Sequence, residues 1–319
     1  MTDSRPAPKA QKPTRSATRD ALLDRAIRGV LWAALRLPYR HRVPAMGWVM
    51  AHLVSPLAGY RARIRDNLAY VLPELPATQA RALMRKVPDN VGRTLIEIYS
   101  GPEFINRIKD IPLKGEGAQA LQEAYAAQRP VVLVTGHFGN YDVARGALVA
   151  RGYPVGGIYN PMKNAAFNTH YVRAIETIGT PLFARGRRGM GGMLKHLKGG
   201  GMIGIVVDQY VNKGALLRYF DKPARTALSA AELALKFDAL LIPIYGIRQA
   251  NGLDFDIRVE APIPASDAQT MTQALNDSLE ALTRRHMDQW FWIHRRWKPD
   301  REARRAAKLA PPKSEPAPD

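Results

Sequence analysis

The sequence predicts an α/β protein, a largely parallel central sheet flanked by helices, preceded by a basic amphipathic N-terminal helical segment. Three observations predict it. From residue 129 onward, short apolar runs punctuated by Gly and Pro alternate with stretches of 10–15 residues at helical spacing, the rhythm of strand–helix–strand units. The run from Ala239 to Tyr245 is apolar almost throughout, as a strand covered on both faces must be. Residues 21–65 combine helical apolar spacing with eight arginines and a single acid, Asp24.

The elements follow in order. Residues 1–20 are polar, basic and Pro-containing and predict a disordered arm, as does the Pro-rich tail 309–319. Residues 21–75 form a helical segment and 76–308 the α/β domain. Within 21–75, apolar residues recur at helical spacing from Leu22 to Leu37 and again from Ala45 to Tyr60. Neither stretch reaches the roughly 20 uninterrupted apolar residues that a spanning helix needs. Arginines beside Trp32 and Trp48 are the pattern of a segment lying in a membrane interface.

A helical run opens at Pro76–Thr78 and continues to about Tyr99. Strands are predicted at Val131–Thr135, Val155–Tyr159, Thr180–Phe183, Met202–Val207, Ala239–Tyr245 and Phe255–Val259. Helices are predicted at Tyr141–Ala150, Ala165–Ile178, Gly189–Leu197, Ser229–Phe237 and Thr270–His286.

Composition narrows the chemistry. The 319 residues contain 46% hydrophobic residues, enough for a substantial core. There is no Cys, which removes disulfides, thiolate metal sites and thiol nucleophiles. The formal net charge of +19 favours anionic partners. A basic nucleic-acid-binding protein is one reading of that charge, but no helix-turn-helix, zinc-finger or RNP-type block accompanies it. The histidines show no H-E-x-x-H spacing, so neither a metal nor another cofactor is expected. The Gly-rich basic stretch "ARGRRGMGG" does not match a phosphate-binding loop.

The densest chemistry lies in "VVLVTGHFGNYD", residues 131–142, where a strand gives way to a helix. His137 falls at the carboxyl end of the strand, where ligands gather in open α/β sheets. Gly139 allows a sharp turn, and Asn140 is a candidate helix cap. Asp142, five positions after His137, falls in the first helical turn. If the turn doubles back, its carboxylate takes the proton of one imidazole nitrogen and leaves the other to accept a proton from a substrate hydroxyl. An ordinary, satisfied histidine beside a helix cap is the bland alternative; the strand–turn–helix context favours the catalytic one.

"GHFGNYD" resembles the H-F-G-N-W-E block of the lipid A biosynthesis acyltransferases, within the wider glycerolipid acyltransferase superfamily. Four further blocks match in order: "RIRDNLAYVLPEL" (63–75), "FARGRRGMGGMLKHLKGGGMIGIVVDQ" (183–209), "YFDKPARTALSAAELALKFDALLIPIYGIR" (219–248) and "QWFWIHRRWK" (289–298). The resemblance implies acyl transfer from acyl carrier protein to a hydroxyl of a lipid A precursor, at the cytoplasmic face of the bacterial inner membrane. The protein would be held there peripherally or by one N-terminal anchor. It implies His137 as base with Asp142 as its orienter, and Asn140, Gly139, Arg185, Asp208 and Gln209 around the substrate. In "WFWIHRRWK", Arg295, Arg296, Trp297 and Lys298 are expected to face membrane or phosphate, together with Trp32 and Trp48; a core role for the tryptophans is the plain alternative.

The sequence departs from the family at Asp142, where the family usually has Glu, and at Tyr219-Phe220-Asp221 in place of Phe-Phe-Gly. Asp142 in place of Glu favours a second acceptor class, a lysophospholipid or a lyso-ornithine-type lipid. The donor is acyl carrier protein or coenzyme A, and no nucleic acid is expected.

Overall fold

The computed structural model describes residues 15–162 and 164–309. An N-terminal helical layer comprises α1 (Arg15–Leu35), α2 (Tyr39–Val49), a π-helical stretch (Met50–Val54), α3 (Ser55–Leu57), α4 (Tyr60–Val71), α5 (Ala77–Tyr99) and α6 (Gly101–Ile108). There follow β1 (Leu113–Lys114), α7 (Ala118–Ala126), β2 (Val131–Thr135), α8 (Asp142–Ala150), β3 (Val155–Tyr159), α9 (Ala165–Ile178), β4 (Leu182–Ala184), α10 (Arg187–Lys198) and β5 (Met202–Val206). The chain closes with β6 (Ala215–Tyr219), β7 (Lys222–Thr226), α11 (Ser229–Phe237), β8 (Leu240–Arg248), β9 (Phe255–Val259), α12 (Ala268–Arg285) and α13 (Pro299–Leu309).

Seven strands form one sheet in the order β1-β9-β8-β2-β5-β3-β4. Every neighbouring pair is parallel except β8 with β9, which are joined by a short loop and run antiparallel. The central strand β2 shows why the sheet is layered. Val131 and Leu133 pack into the core on one face, with Val143, Ala147 and Leu148 of α8. Val132 and Val134 pack on the other, with Ala230 and Ala234 of α11 and Met271 and Leu275 of α12. Side chains alternate across a strand, so a strand covered by helices on both faces needs apolar residues at every position.

The expected alternation of strands and helices is present, with ends shifted by at most three residues. Of the arm expected over 1–20, residues 1–14 lie outside the described residues, and 15–20 are the first turns of α1. Of the expected tail, residues 310–319 lie outside them, and Leu309 ends α13.

The hairpin β6–β7 has no counterpart in the sequence reading. Its two-residue turn is Phe220-Asp221, with φ of 52° and 54°. Such a turn normally carries Asn or Gly, whose absence hid it. Phe220 tolerates the left-handed backbone because its ring is buried against Trp292 at 5.3 Å and Trp297 at 6.3 Å.

The segment between α12 and α13 contains no helix and returns to the centre of the sheet. Gly139 donates its N–H to Gln289 O at 2.9 Å, and Phe291 donates to His137 O at 2.9 Å. Residues 286–298 are thereby fastened against the turn that follows β2.

Candidate functional site

The register of the central sheet places the site. Thr135 of β2 and Val206 of β5 are partners across a parallel pair, so the residues two places beyond each, His137 and Asp208, emerge side by side. The backbone N–H of His137 donates to Asp208 Oδ2 at 2.8 Å, and its Nδ1 lies 2.7 Å from Oδ1. Trp290 Nε1 donates to the same Oδ2 at 2.9 Å. Asp208 is wholly buried. Burial alone would raise its pKa, but the charge and side-chain hydrogen bond of His137, with help from His294 and the backbone N–H, hold it well below the usual carboxylate range. Asp208 is therefore a fixed acceptor. Nδ1 of His137 carries its proton toward the carboxylate, and Nε2 is left with the acceptor lone pair.

Asp142, expected to take Nδ1, is engaged elsewhere. Arg145 Nε donates to its Oδ1 at 2.8 Å, one helical turn along α8. Arg145 is itself anchored by Gly179 O at 2.8 Å and Ile175 O at 3.2 Å. A carboxylate at the start of α8 is drawn to the i+3 cation on its own helix, and the imidazole leans instead toward the next strand.

Asn140 and Gly139 build the turn. Asn140 is fully buried. Its Oδ1 accepts from Asp142 N at 3.0 Å, and its Nδ2 donates to Glu97 Oε2 at 2.9 Å. Both ends of its amide are thus engaged within the protein. Glu97, also fully buried, is gripped by Arg248 through Nη1 to Oε1 and through Nη2 to Oε2 at 2.7 Å. Asn90 and Thr94 of α5 donate to Gly139 O at 3.0 and 2.9 Å. Gly139 has φ of 53°, and a Cβ there would lie 2.0 Å from Gly246 O. Only glycine fits that turn.

Two cavities meet at His137. One, about 300 Å³, holds Arg185, Gln209, Asp142, Arg145 and Tyr141 and opens over the ends of β2, β3 and β5. Arg185 and Gln209 are exposed at its rim. The second, about 270 Å³, runs toward α5 between Val91, Leu95, Ile98, Phe291 and His294 and is chiefly apolar. Tyr141 lines both, its ring edge-on to His137 at 5.4 Å and its hydroxyl 3.2 Å from that of Tyr171.

The block 289–298 divides. Arg296 and Trp297, expected to face membrane or phosphate, are buried. Arg296 donates to Arg225 O at 2.7 Å and Thr226 Oγ1 at 2.6 Å, and Trp297 Nε1 to Tyr219 O at 3.2 Å. Trp297 packs with Trp290, Trp292, Tyr219 and Phe220 as one aromatic core. Arg295 and Lys298 do reach the surface, in a groove of about 740 Å³ shared with Arg63, Arg301 and Arg304. Trp32 and Trp48 are 62% and 54% exposed. Sequence reasoning missed Trp290 as a support for Asp208, and it missed His294. It also missed Glu97, whose signal was an acid inside the apolar run "TLIEIY".

A sequence profile described as bacterial lipid A biosynthesis acyltransferase matches residues 9–299. The chain is 26% identical over 283 residues to a lipid A biosynthesis acyltransferase of Haemophilus influenzae, covering 84% of this chain and 88% of the relative. It is 24% identical over 281 residues to the lipid A biosynthesis lauroyltransferase of Escherichia coli K12, covering 85% and 89%. It is also 24% identical over 253 residues to a phosphatidylinositol mannoside acyltransferase of Mycobacterium tuberculosis H37Rv, covering 77% and 80%. With nearly its whole length matched, the chain belongs to the bacterial lipid A biosynthesis acyltransferase family and is an acyltransferase.

Proposed function

We propose that the protein moves a fatty acyl chain from acyl carrier protein to a hydroxyl of a lipid A precursor at the cytoplasmic face of the bacterial inner membrane, with His137 as general base and Asp208 as its orienter. The observation that carries the reading is the doubly bonded His137–Asp208 pair at the junction of two cavities. Asp208 fixes the tautomer and stabilises the imidazolium that forms when Nε2 takes the acceptor's proton. The acceptor oxygen then attacks the thioester carbon, the carbon–sulfur bond breaks, and the imidazolium returns its proton to the leaving thiolate. No acyl-enzyme is needed.

The apolar cavity suits the first part of the acyl chain, and Arg185 at the rim of the other suits a phosphate or the developing oxyanion. Membrane association is supported by α1–α3, the linker between α1 and α2 and the π-helical stretch. They hold eight of the twelve large apolar side chains exposed among the described residues, Trp32, Trp48 and Leu57 among them. No helix among the described residues is long and apolar enough to cross a membrane, so the proposal is a segment lying in the interface. The groove with Arg63, Arg295, Lys298, Arg301 and Arg304, and the net charge of +19, suit an acidic carrier protein or lipid phosphates.

The second reading keeps the chemistry and changes the acceptor to a lysophospholipid or lyso-ornithine-type lipid. It is favoured by the relatives that act on phosphatidylinositol mannoside. Purified protein given acyl carrier protein loaded with a radiolabelled acyl chain and each acceptor in turn, with thin-layer separation, decides between them. Label in the lipid A precursor is the expected result, lost in His137→Ala; label only in a phospholipid moves the assignment to the second reading.

A further inference from the structure

The segment that returns to the sheet centre brings a second imidazole to the site. His294 stands edge-on to His137, ring centroids 4.6 Å apart at 75°. Its backbone is fastened: the carbonyl accepts from Asn67 Nδ2 at 2.7 Å, and the N–H donates to Phe291 O at 3.1 Å. Its ring is not. Among the described residues its Nε2 is buried without a hydrogen-bond partner. Buried polar groups are nearly always satisfied, so an orphan beside a reacting group marks a place kept for something that binds. His294 lines the apolar cavity with His137 and Phe291, where the acyl chain enters under the proposed function.

We propose that His294 is a second catalytic residue, whose imidazole N–H hydrogen-bonds the carbonyl oxygen of the acyl thioester while His137 takes the acceptor's proton. The inference rests on the reading of His137 as base. When the acceptor oxygen bonds to the thioester carbon, the π electrons of the carbonyl move onto its oxygen, next to the His294 donor. When they return, the carbon–sulfur bond breaks and the proton on His137 goes to the sulfur. His294 neither gains nor loses a proton.

The protonation state suits the task. Burial first, and then the nearness of His137, bring the His294 pKa down to about 4. The ring is neutral at pH 7, so it donates one hydrogen without opposing the positive charge that His137 acquires. The donor set does not make a cation site, although ligand atoms of His137, Asp208 and His294 lie within 4.8 Å of one another. Asp208 already accepts three N–H groups, two from His137 and one from Trp290, which a cation would have to displace.

The test uses the full chain, the lipid A precursor as acceptor, and decanoyl-pantetheine, which carries the thioester common to both candidate donors. Thiol release reports turnover, and the carbonyl stretch of the bound ¹³C-labelled thioester reports the hydrogen bond. His294→Phe is expected to lower kcat by ~10²–10³-fold with KM within ~3-fold, and His294→Gln, which restores an N–H donor, to recover to within ~10-fold of the parent. The stretch is expected to lie lower in the parent and in His294→Gln than in His294→Phe. Parent-like turnover in His294→Phe, or a parent stretch equal to that of the thioester in a non-hydrogen-bonding solvent, overturns the proposal. The spectrum needs only the parent, so a variant that fails to fold leaves the test intact. If His137→Ala alone keeps parental turnover, the base assignment fails, and the carbonyl frequency still judges His294.

Discussion

Asp208 receives two hydrogen bonds from His137, one from its backbone N–H and one at Nδ1. A single carboxylate therefore fixes both where the imidazole sits and which nitrogen faces the cavities.

That relationship separates two carboxylates. Asp208→Asn presents an amide that can force the wrong tautomer on His137, and is expected to lower kcat by ~10²–10⁴-fold. Asp142→Asn leaves the imidazole paired and is expected to lower kcat by less than ~10-fold, while destabilising the fold by roughly 3 kcal/mol because Arg145 loses its charged partner in a buried setting. Steady-state kinetics together with urea denaturation of both variants checks the contrast. A larger kinetic loss in Asp142→Asn than in Asp208→Asn reverses the roles.

The Glu97–Arg248 pair holds the turn from beneath. Removing one partner strands the other in the interior, so Glu97→Ala or Arg248→Ala is expected to cost about 3–5 kcal/mol. Activity should fall with folded population, since Asn140 loses the acceptor of its amide. A melting temperature within a degree or two of the parent in both variants rules this support out.

Trp32 and Trp48 do not contribute to the core. Trp32→Ser with Trp48→Ser is expected to leave the thermal unfolding midpoint within ~2 °C while weakening binding to anionic liposomes by ~10-fold or more, as apolar area leaves the interface. Flotation with liposomes of mixed anionic and zwitterionic lipid measures it. Undiminished flotation assigns the membrane contact to another surface.

The pH dependence of stability carries a signature of His294. Its folded pKa, about 4, lies below the ordinary histidine value of 6.5. Between these values the unfolded chain binds a proton that the folded one does not, so stability falls as pH drops from about 6.5 to 4. One such group gives a slope of up to about 1.4 kcal/mol per pH unit. Asp208 has the carboxylate pattern, its stabilisation present above the unfolded value of 3.8 and lost only as pH falls through a folded pKa well beneath it. Denaturation across pH 4–7 should show a shallower slope in His294→Phe than in the parent. Equal slopes place the uptake on another group.

Much of the architecture was legible in the chain. The strand of Val131–Thr135, the helix of Ala165–Ile178 and the strand of Phe255–Val259 have their expected bounds, because apolar periodicity and Gly or Pro boundaries are local signals. The hairpin around Phe220-Asp221 was not legible, since its turn lacks the usual glycine or asparagine and is held by the aromatic core. The site divides the same way. His137 at a strand end follows from its neighbours in sequence. Its partner, 71 residues away, follows from β2 lying beside β5, an adjacency that no local pattern carries. Arg296 and Trp297 look like a membrane belt in a basic, aromatic stretch; packing against β6 and β7 makes them interior.

The amino-acid sequence by itself determined the α/β class, the strand–turn–helix that carries His137, the basic N-terminal segment and the family resemblance. These depend on side-chain type and spacing over a few residues. Only the tertiary structure decided that Asp208 and not Asp142 holds the imidazole, that Asn140 serves the turn, and that His294 stands beside His137. Those depend on which strands become neighbours and which segment closes over them, and the free energy that selects them is the burial of a core shared by residues far apart in the chain.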